Sequence, residues 1–107
     1  MTDIVLVLTT VADNDQAESL ARQMVEERLA ACVNLHPMMQ SFYRWKGLVV
    51  RDVERQLVIK TTRDRLPALE ARLRELHSYE LPELLVLPVD QGGQAYLNWI
   101  ADQTRSG

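Results

Sequence analysis

The chain predicts an α+β domain of order β-α-β-β-α-β with an extra C-terminal helix. This is the split βαβ, ferredoxin-like arrangement, a four-stranded antiparallel sheet with two helices on one face. Three observations lead there. Two short aliphatic runs, IVLVLTT (residues 4–10) and LLVLPV (84–89), lie near either end and are too brief for helices. Between them, two stretches carry apolar residues at helical spacing. The middle is rich in β-formers and doubles back at Lys46-Gly47.

The first strand, IVLVLTT, is stopped by ADNDQ, where Asp13 and Gln16 have the spacing of a capping box. Ala17, Leu20, Ala21, Met24, Val25 and Leu29 then form one apolar stripe, with Glu18, Arg22, Gln23, Glu26 and Glu27 on the rest of the helix. From Ala31 the pattern loosens into CVNLHPMMQSFYRW, where Pro37 permits only an edge strand or a bulge. The return strand is VVRDVERQLVIKTT. Asp64 and Pro67 suit the start of a second helix, whose stripe is Leu66, Leu69, Leu73 and Leu76. Pro82 separates it from the last strand. Gly92-Gly93 breaks the chain again, and QAYLNWIADQ forms a terminal helix.

At 107 residues there is room for one core and not for two, so residues 1–107 are expected to form a single domain. A net charge of −3 argues against a phosphate-binding surface and hence against nucleic acid as a partner. The lone cysteine excludes a disulfide framework. MTDIVLVLTT has neither the basic flank nor the apolar length of a signal peptide, and no segment has the length of a membrane span. A soluble cytoplasmic domain with no membrane partner is the expectation. IVLVL and LLVLPV are apolar at odd and even positions alike, so both faces of the sheet call for burial. Two helices cover one face, and the other needs a partner, most simply copies of the same chain.

Three segments together resemble the CutA family, named for divalent-cation tolerance: RLAACVN, FYRWKG with VIKTT, and YELPELLVLPV. The resemblance runs from Val5 to about Trp99. It implies a ferredoxin-like subunit in a homotrimer, with sheets facing one another around a threefold axis. The family is also similar in architecture to PII signalling proteins, whose trimers bind small effectors between subunits. A role in copper tolerance is implied, with no required cofactor.

His77, at the border of the second helix's stripe, is a candidate copper ligand, since imidazole suits copper. The competing reading is a C-terminal helix residue favoured there by the macrodipole. Some family members carry adjacent histidines in this segment and a cysteine after the first strand. Here Leu76-His77-Ser78 and Thr9 stand in those places. His36 with Met38-Met39 offers imidazole and thioether, but alternation puts the two methionines on opposite faces unless Pro37 bulges the strand. Cys32 reads as a small hydrophobe. Any copper binding is therefore expected to be weak.

Lys60 stands in a strand that otherwise reads as buried, and Glu54 lies an even offset before it, on the same face. Glu83 opens the last strand after Pro82, which holds Leu81 extended. A structural ion pair and a ligand site are both open readings of these charges. As a site, Trp45, Glu54, Lys60, Tyr79 and Glu83 would line an intersubunit cleft with a charged floor and aromatic walls, suited to a small polar effector.

An enzyme is the alternative to a binding or sensor protein. However, no phosphate-binding glycine loop, Ser-His-Asp set or HExxH occurs, and nothing after IVLVLTT matches the acylphosphatase loop. An RNA-recognition module would need aromatic residues on strands that have none.

Overall fold

The computed structural model describes residues 2–105. β1 (Ile4–Ala12) lies inside an antiparallel sheet, between β4 (Leu48–Thr62) and β5 (Leu85–Pro88). The far side of β4 pairs with two strands in turn, β2 (Cys32–Leu35) and β3 (Met39–Trp45). α1 (Asp15–Glu26) and α2 (Leu66–Leu76) cover one face. Their stripes, Ala17, Leu20, Met24, Leu69 and Leu73, pack on Val5, Val7, Val11, Leu57 and Ile59. α3 (Gln94–Gln103) lies on the opposite face at one end, where Ile100 packs with Ile4 and Ala31.

The fold is the expected ferredoxin-like one, with a correction: five strands replace four. The predicted second strand is cut at Pro37, which has no N–H to give to the ladder. Leu35 pairs with Leu57 and Met39 with Glu54, so His36, Pro37 and Met38 stand opposite Arg55 and Gln56 alone. That one extra residue is a bulge, and the Arg55 Nε donates to the His36 carbonyl at 2.8 Å beside it. A one-residue slip turns every later side chain to the other face. Val33 and Leu35 therefore face the helices, whereas Met39, Ser41, Tyr43 and Trp45 share the other face with Asp52 and Glu54.

β4 is longer than the sheet it belongs to. β1 pairs with it only from Glu54 onward, so residues 48–53 pair with β3 alone as a two-stranded arm. At the tip Lys46 (φ 50°) and Gly47 (φ 82°) both have positive φ, as a type I′ hairpin turn requires. A Cβ at Gly47 would meet nothing within 4 Å, so its cost is backbone strain alone. Gly47→Ala is expected to lower stability by about 1 kcal/mol, read as a reduced urea midpoint at unchanged slope.

Two helix boundaries also differ from expectation. The cap of α1 is Asn14, not Asp13: its Oδ1 accepts from the Gln16 N–H at 2.9 Å. α1 ends at Glu26, and Arg28 takes a left-handed conformation (φ 59°) that delivers buried Leu29 to the core outside the helix. The Arg28 guanidinium donates to the Gln103 carbonyl, 3.1 Å away at the end of α3.

Candidate functional site

The bulge and the long β4 build a cleft on the sheet face opposite α1 and α2. β3 and the arm supply one wall, and the segment leaving α2, residues 78–83, supplies the other. The cleft measures about 960 Å³, the size of a small-molecule site.

Glu54 forms its floor. Its side chain is buried, and its Oε2 accepts from the Tyr79 hydroxyl at 2.6 Å. Burial, and then the bond to Glu54, hold the Tyr79 hydroxyl protonated well above its ordinary value of 10.0. Two residues along the same face, Asp52 accepts from the Tyr43 hydroxyl, and this bond raises the Tyr43 pKa. Glu83 is held by Gln56, whose Nε2 donates to Glu83 Oε2 at 2.9 Å and to the Thr9 carbonyl at 2.8 Å. Of the four carboxylates that line the cleft, Asp52, Glu54 and Glu83 are thus each held by a neutral donor and keep spare acceptor capacity, and Glu80 is the fourth.

Of the five residues read from the sequence as a cleft, Trp45, Glu54, Tyr79 and Glu83 line this one. Lys60 does not. It shares Glu54's face, but six residues of strand separate them, about 20 Å. Its Nζ lies 3.4 Å from the Tyr96 hydroxyl and 5.7 Å from that ring's centre, under α3. Tyr43, Asp52 and Gln56 were missed. The even spacing of Asp52 and Glu54 could have revealed the carboxylate pair. Tyr43 depends on the register after the bulge and had no comparable signal.

His77 caps α2 with extended backbone, and its N–H donates to the Leu73 carbonyl at 2.8 Å. Nδ1 accepts from the Tyr79 N–H at 3.1 Å, so Nε2 carries the proton it gives to the Thr10 carbonyl at 2.8 Å. Both nitrogens are engaged, and the ring braces α2, β1 and Tyr79 at the end of the helix. His36 and Met38 are exposed at the bulge, Met39 is half-buried opposite Glu54, and Cys32 is free and half-buried beside Lys60. Among the described residues no group of three or more His, Cys, Asp or Glu side chains could hold a metal ion. No helix there is long and apolar enough to cross a membrane.

An antiparallel ferredoxin-like sheet with helices on one face and a carboxylate- and tyrosine-lined cleft on the other defines a small α+β domain of the ferredoxin-like class. The family model for the CutA1 divalent ion tolerance protein matches residues 5–103, and the chain belongs to that family. It is 46% identical over 99 residues to the divalent-cation tolerance protein CutA of Thermus thermophilus, covering 92% of this chain and 96% of that one. The solved structure of the Thermus thermophilus protein superposes with a TM-score of 0.92 at 44% identity, covering 95% and 99% of the two chains. CutA from Xylella fastidiosa gives 0.93 at 40% identity, covering 97% and 100%. Human protein CutA is 44% identical over 91% of this chain, which spans 54% of that longer protein.

Proposed function

We propose that this chain is a cytoplasmic, non-enzymatic binding protein of divalent-cation tolerance, working as a homotrimer whose Tyr79–Glu54 cleft receives a small polar effector. The observation that carries this reading is the arm. Phe42, Leu48 and Val49 are each about two-thirds exposed, with Val53 nearly half, on a hairpin that has no core of its own. Isolated hairpins are marginal in water, and an apolar patch of this kind marks an interface. The second face repeats the signal. Leu85 and Leu87 are exposed beside half-buried Leu8 and Leu6, and α3 covers only the end near Ile4. The metal-tolerance role rests on family membership.

The cleft is tested by calorimetry with a panel of amino acids, nucleotides and divalent metals. Glu83→Gln and Trp45→Ala are expected to weaken whichever effector binds, and Lys60→Met to leave it unchanged. An effector that ignores the first two variants sinks the assignment.

Copper is expected to bind weakly and independently of His77, whose nitrogens are both committed. Titration of Cu(II) against a weak competing chelator measures this. Tight stoichiometric binding that vanishes in His77→Ala would make the histidine a ligand after all.

A further inference from the structure

The carboxylates of the cleft stand in a row. Asp52, Glu54 and Gln56 alternate onto one face of β4, about 7 Å from each to the next along the strand. Gln56 holds Glu83 at 2.9 Å, so Glu83 continues the row where Gln56 stands. The donors to these three groups, Tyr43, Tyr79 and Gln56, are neutral and fix them without cancelling their charge. None of the three forms an ion pair among the described residues. Glu54 is the most buried of them, at 5% exposed. Its Oε2 takes the Tyr79 hydroxyl, whereas its Oε1 has no partner among the described residues and is not sealed off from the cleft it lines. An acceptor so deeply placed and so poorly hydrated gains from a bound donor.

Given that this cleft is the effector site, we propose that its effector is an aliphatic polyamine, extended along β4 with successive ammonium groups at Asp52, Glu54 and Glu83. Charge selects a cation. With Glu80 there are four carboxylates against one guanidinium, Arg44, which bonds the Gly47 carbonyl at 3.5 Å at the hairpin tip. Spacing selects a chain over a single ion. Among the described residues no three acidic side chains converge to hold a metal ion, so the positive charge must be distributed as the row is. Ammonium groups joined by three or four methylenes lie about 5–6 Å apart when extended, close to the interval of the row. Each ammonium carries N–H donors and no acceptor, the complement of a carboxylate with spare lone pairs. The methylenes between them need apolar contact, which Tyr43, Trp45 and Tyr79 supply as they line the cleft. Aromatic faces attract ammonium groups as well.

The test is calorimetry on the intact protein with spermidine, putrescine, butylamine and succinate, at low salt where charges are least screened. Spermidine is expected to bind more tightly than putrescine, putrescine more tightly than butylamine, and succinate not at all. Asp52→Asn and Glu54→Gln should each weaken spermidine about tenfold, the worth of one hydrogen bond to a charged group. Lys60→Met should leave it unchanged, and a cooperative thermal transition shows that each variant is folded. Equal affinity for putrescine and butylamine, binding of succinate, or unchanged spermidine affinity in both carboxylate variants would overturn the polyamine. If spermidine fails while an amino acid or nucleotide binds and is weakened by Glu83→Gln and Trp45→Ala, the polyamine falls and the cleft stands as the effector site. If no compound responds to those two variants, both fall.

Discussion

Val49→Asp is expected to convert the proposed trimer, at three times the 12.3 kDa chain mass, to single chains, measured by sedimentation equilibrium. Val49 is about two-thirds exposed and sits on the arm opposite Arg44. On an isolated chain a carboxylate there would be nearly silent, because exposed substitutions usually change stability by less than about 0.5 kcal/mol. Between subunits it becomes a desolvated charge, which costs several kcal/mol. The same substitution thus has two very different outcomes, and the size of the effect identifies the state. Phe42→Asp, on the paired strand, should behave alike. Thermal midpoints should fall with dissociation, since assembly and stability are linked by mass action. A Val49→Asp protein that keeps its mass and its midpoint would show that the arm stays in water.

Tyr79→Phe is expected to destabilise the protein by about 1.5–3 kcal/mol, the usual range for a hydrogen bond to a charged group. The hydroxyl it removes is the donor to buried Glu54 Oε2. Its second signature is in the alkaline limb. Tyr79 has its proton affinity raised in the folded state, above the ordinary 10.0. Above pH 10 the unfolded chain loses this proton while the native one keeps it, so unfolding releases a proton and becomes easier as pH rises. The stabilisation is complete below pH 10 and is lost upward from there. Midpoints recorded from pH 9 to 12 should fall more steeply for the parent than for Tyr79→Phe. Parallel curves would mean that Tyr79 does not bridge to Glu54 in solution.

Much of this architecture is legible because it rests on local periodicity. IVLVLTT is a strand and Leu66, Leu69, Leu73 and Leu76 form a stripe whatever their neighbours do, and both occur as read. The bulge was half legible. Pro37 announces a break, but which side of it slips depends on how β4 pairs with each piece. Four cleft residues were readable as charges or aromatics that a strand does not explain. Lys60 misled by the same logic, because alternation reports which face a residue takes and not how far along the strand it lies.

Legible in the residues alone were the order of elements, the two-sided apolar strands and the marking of Trp45, Glu54, Tyr79 and Glu83 as candidates. Those follow from composition and from spacings of two or four residues. Tertiary structure alone decided the partners. It gave Glu54 to Tyr79, Asp52 to Tyr43 and Lys60 to Tyr96, and it set both nitrogens of His77 against backbone. Each of these contacts joins residues whose meeting depends on strand register or on how the segment leaving α2 crosses the sheet. A hydrogen bond is decided within a few tenths of an ångström, and one extra residue at Pro37 moves every later side chain of β3 to the opposite face.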